Sequence, residues 1–210
     1  MFANTVRIDQ MEIAERKIRH REEIYTGILA AAWNMVITDG WQSLSIRKIA
    51  DAIGYSVPVI YNHFENKEAI LLEFSKEGFQ KLAIVLQSAK ELHSSPFDQL
   101  NAMAEAYWDF SFELKEYYQL MFGLGLPACE MVNQIEEMKS MTSILIITIK
   151  EALAAGKNDQ ADYFLKFHTY WSILHGLVSI QMIDRQGKPD QIKKMILKDA
   201  MDGFCKSLLA

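Results

Sequence analysis

Along "SIRKIADAIGYSVPVIYNHFENKEAI", Ser45 to Ile70, apolar positions recur at helical intervals, break at Gly54 and resume at once. Ile46, Ile49, Ala50 and Ile53 form one stripe; Ile60 and Phe64 restart it. The pattern predicts two short helices joined by a sharp turn, with Gly54 supplying the backbone freedom. Ser45 and Ser56 stand where N-caps belong, each with a hydroxyl free to accept a backbone N–H. Pro58 falls in a first turn, where it removes no needed hydrogen bond.

The same 3.6-residue rhythm fills most of the chain, so an all-α fold is expected. A first long helix is predicted from about Glu12 to Thr38, with Ile24, Ile28, Ala31, Ala32, Met35 and Val36 inward and Gly40 ending it. Asn66 reads as the cap of a fourth helix running towards Leu92. Past "HSSP" further helices are expected from about Pro96 to Phe112, Glu113 to Phe122, Pro127 to Ala154, Asp159 to Asp184 and Pro189 to Leu208. The β-branched run "ILIITI", Ile144 to Ile149, reads as buried helix because helix-forming sequence without turn signals flanks it. Aromatic and methionine residues crowd into the region after Pro96 while basic residues thin out. Residues 1–66 are therefore expected to form an N-terminal domain and residues 67–210 a larger C-terminal one, linked by the helix over 67–92.

Composition narrows the function classes. Half of the 210 residues are hydrophobic, enough for a substantial core. Cys129 and Cys205 share no short spacing, which suggests neither a disulfide framework nor a zinc site and fits a reducing cytoplasm. No apolar run approaches the length needed to span a bilayer, so the chain is expected to be soluble and unexported. A net charge of −5 argues against a general polyanion binder, though not against a small DNA-reading surface. The sequence offers no nucleophile elbow, glycine-rich phosphate loop or HExxH, so no enzyme and no cofactor are expected.

Helix, turn, helix is the arrangement that lets a second helix enter a DNA major groove. Together Leu44, Ser45, Ile49, Ala50, Gly54, Ser56, Ile60, Tyr61, His63, Phe64, Lys67 and Glu68 resemble the signature of tetracycline-repressor-like (TetR-family) regulators. The motif covers roughly the first third of the chain. The resemblance implies three N-terminal helices that bind DNA, a fourth that links them to a ligand-binding bundle, and two C-terminal helices that make a homodimer. Further on, Trp171, His175 and Gly176 in "YWSILHG" resemble the C-terminal domain of a subgroup named for Trp, His and Gly.

The resemblance places Ser45, Tyr61, His63 and Lys67 on phosphates, tasks their donors suit. Arg47 and Lys48 flank the groove, and base reading falls to Ser56, Val57, Pro58, Val59 and Asn62. Asn62 is the natural adenine reader and a valine can touch a thymine methyl. Val59 departs from the Thr, Ser or Ala that the family often carries there. Ile60 and Phe64 read as core. Arg7, Arg16, Lys17, Arg19 and Arg21 alternate with glutamates and read as a solvated face with i,i+4 pairs; an arm placing Arg7 in the minor groove is the alternative.

In the C-terminal region Tyr107, Trp108, Phe112, Tyr118, Met121, Phe122, Met138, Met141, Trp171 and His175 exceed what a tight helical core ordinarily needs. At least half of them should be plain core; the set is expected to include the site of a mostly apolar small-molecule effector, with Tyr118 and His175 orienting it. His168 and His175 stand seven apart without a third ligand, so no metal is expected. Ile192, Met195, Ile196, Asp199, Gly203 and Phe204 supply a stripe for the dimer. The reading is a ligand-responsive repressor that binds a palindromic operator as a homodimer. A protein of the same fold that acts as a co-activator without operator binding is the alternative; the presence of Tyr61 and Lys67 favours DNA.

Overall fold

The computed structural model describes residues 2–123, 136–158, 160–183 and 191–209, with side-chain detail beginning at Glu12. Expectations at Pro127, Cys129, Asp159, Asp184 and Pro189, and for the Arg7 side chain, lie outside the described residues. Among those described, α-helices alternate with short turns and no strand occurs. The chain divides into two compact units, Met1–Leu71 and Leu72–Ala210.

The N-terminal unit holds α1 (Phe2–Asp39), a short 3-10 turn (Trp41–Ser43), α2 (Ile46–Ile53), α3 (Val57–Tyr61) and the start of α4 (Lys67–Glu91). Helix α1 is longer than its apolar rhythm predicts, because ten residues before Glu12 continue the helix. Its inward face carries Ile28, Ala32 and Val36, one turn apart and all but fully buried. Ile49, Ala50, Ile60, Phe64 and Ile70 meet them, each isoleucine contributing about 1.5–3 kcal/mol by its burial. Gly40 stops α1 at φ 76°, donating its N–H to Val36 O at 2.8 Å.

Gly54 shapes the turn. Its φ of 72° and ψ of 26° are left-handed, and Tyr55 N–H closes back on Ala50 O at 3.0 Å. The expected serine caps are not made: Ser45 and Ser56 have extended backbones, but neither hydroxyl bonds its helix. At Ser56 the reason is local. Pro58 has no N–H to offer, and the N–H of Val59 is taken by Ser56 O at 2.9 Å. Asn66 does cap α4, its Oδ1 accepting Ala69 N–H at 2.8 Å.

The C-terminal unit takes the rest of α4 with α5 (Pro96–Glu113), α6 (Lys115–Met121), α7 (Glu136–Ala155), α8 (Tyr163–Ile183) and α9 (Gln191–Lys206). Helix α5 lies at its centre and touches α6, α7, α8 and α9. Tyr170 ties α8 to α5 by donating to Leu100 O at 2.7 Å. The "ILIITI" run is helical, as expected, but amphipathic: Leu145, Thr148 and Ile149 are buried while Ile147 is exposed. Helix α8 begins at Tyr163, where Asp162 Oδ1 accepts Phe164 N–H at 2.8 Å. Phe204, read as part of a dimer stripe, instead faces inward against Tyr170, with ring centroids 5.2 Å apart. No helix among the described residues is long and apolar enough to cross a membrane.

A Cβ at Gly54 meets no atom within 4 Å, so Gly54→Ala carries backbone strain alone. The variant is expected to lose about 1–2 kcal/mol, read from its denaturant midpoint against the wild type.

Candidate nucleic-acid interface and aromatic site

Burial of Ile60 and Phe64 fixes which face of α3 turns outward. Tyr61 is 52% exposed beside the fully buried Ile60. Ser56, Pro58 and Asn62 are exposed with it, Val57 and Val59 are half-buried, and Arg47 and Lys48 on α2 are exposed. Ser45, His63 and Lys67 are half-buried. All eleven residues expected at DNA belong to the run from Ser45 to Lys67, and none is in the core. The outward set combines cations, an amide, hydroxyls and short apolar groups, which suits phosphate and base-edge contact.

Two residues of α1 that sequence reasoning did not assign to this face belong beside it. Tyr25 stacks on Phe64, centroids 5.0 Å apart and planes 18° from parallel. One turn earlier, Arg21 acts on His63. Burial first, and then the Arg21 charge, hold the His63 imidazole below its ordinary 6.5, so it is neutral at pH 7. The available signal was Tyr25 itself, adjacent to the inward Ile24 and four residues from Arg21.

In the C-terminal unit the predicted ligand residues separate into two groups. Tyr107, Trp108, Tyr118, Met121 and Met141 are buried to 3% exposure or less and pack as core. Phe112, Phe122, Met138, Trp171 and His175 are half-buried. Phe122 lies 5.4 Å from Trp171 and 5.1 Å from His175, centroid to centroid, and Trp171 stacks parallel to His175.

A hydrogen-bond chain runs through this cluster. Tyr107 O–H donates to the Tyr118 hydroxyl at 3.1 Å, and the Tyr118 hydroxyl lies 2.8 Å from His175 Nδ1, where the imidazole tautomer sets which group donates. Burial raises the pKa of Tyr107 well above its ordinary value. Burial also raises that of Tyr118, against the pull of the Tyr107 and Ser179 hydroxyls. Burial lowers His175 from its ordinary 6.5. All three groups are neutral near pH 7.

Two cavities of this unit lie elsewhere and are lined by none of the ten predicted ligand residues. One, of about 260 Å³, lies between α5 and α9 beside Asp98, Glu105 and Lys198. The other, of about 460 Å³, is an open groove beside Gln80, Ile84 and Glu137. Aromatic side chains of the cluster pack against one another, as Phe122 does on Trp171 and His175. Among the described residues no three His, Cys, Asp or Glu side chains could hold a metal; His168 packs on Phe164 and Phe167.

A turn of this kind, an outward reading face and a separate helical bundle define a DNA-binding regulator. Residues 28–81 match the model of bacterial regulatory proteins of the tetR family, and residues 100–201 that of the tetracyclin repressor-like C-terminal domain. The chain belongs to the TetR family of transcriptional regulators, which are DNA-binding proteins and not enzymes. It is similar to the transcriptional activator FasR of Mycolicibacterium smegmatis, 28% identical over 102 residues, or 49% of this chain and 47% of FasR. The match thus spans about half the length of that relative. A Rhodococcus sp. RHA1 protein of unknown function superposes with a TM-score of 0.73 at 26% identity, over 89% of this chain and 96% of its own. FadR of Bacillus subtilis in complex with stearoyl-CoA shares the fold, with a TM-score of 0.66 at 20% identity over 89% and 98% of the two chains.

Removing the Arg21 charge takes away one of the two influences that lower His63. Arg21→Ala is expected to raise the His63 pKa towards 6.5, read by NMR titration of the imidazole. An unchanged titration would separate the two side chains.

Proposed function

We propose that the chain is a ligand-responsive repressor that binds a palindromic operator as a homodimer and leaves it when a mostly apolar small molecule binds the C-terminal unit. The observation that carries this reading is the division of α3, with Ile60 and Phe64 inward and Tyr61 and Asn62 outward beside Arg47 and Lys48. Lys67 and Tyr61 hold phosphates, and Asn62 reads a base edge. Occupancy of the operator is what represses.

Exposed apolar side chains on the last two helices support the dimer. Phe164, Leu165 and Ile180 on α8 and Ile192, Met195 and Ile196 on α9 are each at least 45% exposed. Ile192, Met195 and Ile196 follow an i, i+3, i+4 spacing, one face of a helix. Pairing these faces about a two-fold axis buries them in a four-helix bundle.

The effector enters where Phe122, Trp171 and His175 are half-buried, and the rings part to admit its apolar portion. Its polar portion meets the neutral chain ending at His175. In the tautomer that accepts from Tyr118 at Nδ1, His175 offers Nε2–H as a donor; all three groups being neutral, an uncharged acceptor such as an acyl thioester carbonyl fits better than a carboxylate, which no cation of the cluster would balance. That FadR of Bacillus subtilis was solved with stearoyl-CoA supports an acyl compound.

Selection from random DNA is expected to return a palindrome with half-sites about 34–36 Å apart, one helical turn. Lys67→Ala weakens binding to every sequence, whereas Asn62→Ala relaxes preference at one base position by about 1–3 kcal/mol. Recovery of no motif would sink the operator reading, and a reporter that falls silent on deletion of the gene would reverse the sign to activation.

For the effector, long-chain acyl-CoA is expected to raise the melting temperature and weaken operator binding, while the matching free fatty acid does neither. Tyr118→Phe breaks the relay at its centre and should cut the acyl-CoA response. Equal responses to thioester and carboxylate would remove the head-group argument.

A further inference from the structure

Helix α1 projects beyond anything it packs against. From Glu12 to Glu23 every residue is exposed, Ile13 and Ile18 included at 54% and 58%. Twelve helical residues without a buried face gain nothing from tertiary packing, and isolated helices of that length are marginal in water. The expected i,i+4 pairs do not form: Arg16, Lys17, Arg19 and Arg21 make no ion pair among the described residues. The contact in this stretch is between His20 and Glu23, 3.8 Å apart, which requires a protonated histidine.

The charges are nevertheless sorted. At about 100° per residue, Lys17 lies about 40° round the helix from Arg21, and Tyr25 about 40° to its other side. All four glutamates, Glu12, Glu15, Glu22 and Glu23, lie about 100° or more away, as do Arg16 and Arg19. The sector shared by Lys17 and Arg21 thus holds cations and no acid. Its direction is fixed by the Tyr25–Phe64 stack, which seats α1 against the segment between α3 and α4 that carries His63 and Lys67.

From this the geometry points to a second DNA-contacting element: the projecting part of α1 is an arm whose Lys17 and Arg21 bind backbone phosphates flanking those held by the helix-turn-helix. The assignment rests on the operator reading proposed above. Lys17 and Arg21 stand about 6 Å apart along the helix axis, against about 3.4 Å of rise per phosphate on one strand, so the two cations reach phosphates about two steps apart. Arg21 already exerts its charge on His63, a phosphate-side residue on the same reading. Contacts of this kind add affinity without adding sequence preference.

The test uses the full-length chain and its selected operator, with binding followed by fluorescence anisotropy over a range of salt concentrations. For Lys17→Gln/Arg21→Gln the slope of log K against log salt is expected to fall by about 0.9 for each phosphate that the arm no longer neutralises, with base preference unchanged. Gln keeps helix propensity close to that of Lys and Arg, and far-UV circular dichroism checks that the arm persists. Arg16→Gln/Arg19→Gln, on the opposite face, should keep the wild-type slope, as should the charge-preserving Lys17→Arg/Arg21→Lys. A wild-type slope for the Lys17/Arg21 pair, or an equal fall for the Arg16/Arg19 pair, overturns the arm while leaving the operator reading intact. Failure of the wild type to select any motif overturns both.

Discussion

The recognition helix α3 has five residues, Val57–Tyr61, and a helix so short has no stability of its own. Its existence depends on burying Ile60 and Phe64 against α1 and α2, and everything else at the DNA face follows from that anchorage. With Ile60 inward, the helical period turns Tyr61 outward. With Phe64 stacked on Tyr25, the register of α1 is fixed one turn further on, which brings the Arg21 charge to His63. The Asn66 cap then starts α4 within two residues of Phe64. A substitution that loosened Phe64 would therefore disturb three helices at once.

In the C-terminal unit the corresponding constraint is polar. Two phenols buried among aromatic rings cost several kcal/mol if unpaired, and the Tyr107–Tyr118–His175 chain removes that cost by giving each hydroxyl a partner. The same burial keeps every member neutral. The ligand preference proposed for this site would have the same origin, since a site that cannot afford charge on its own groups is poorly suited to charge on a guest.

Much of the fold was legible in the sequence because it depends on local rules. Gly54 announced the turn, the 3.6-residue rhythm announced the helices, and Asn66 announced its cap. Three features were not legible, each for a physical reason. Ser56 has the residue type and backbone of a cap, but Pro58 removes a donor and a backbone carbonyl takes the next, a competition that a residue preference does not reveal. Phe204 shares the helix of Ile192, Met195 and Ile196, yet faces its own core, because which side of an apolar helix is inward depends on where Tyr170 sits. The alternation of Arg and Glu in α1 looked like pairing along one face, whereas the helical period sends Lys17 and Arg21 to a sector without acid, and the i,i+4 couples Glu12/Arg16 and Glu15/Arg19 form no ion pair among the described residues. At the candidate sites, the residues expected at DNA were named from the motif, and all of them are exposed or half-buried. The aromatic set could be named only as a crowd of which at least half should be core, without showing which half.

The hydrogen-bond chain also limits what a ligand can gain there. Tyr107 and Tyr118 already have partners, so on the proposed reading a guest at His175 would add one hydrogen bond, a net of about 0.5–1.5 kcal/mol. Affinity must then come from apolar area, at about 25 cal/mol per Å², less whatever it costs to part Phe122 and Trp171. On the proposed reading, head group and tail would have separate tasks: the first would discriminate among ligands and the second hold them. Release from DNA needs a further ingredient, because a ligand shifts an equilibrium only by its differential affinity for the two states. Parting the aromatic rings provides a state in which tail contacts exist and from which the closed packing is excluded. On the proposed reading, reciprocity requires that an operator favouring closed packing weaken the ligand by the same factor.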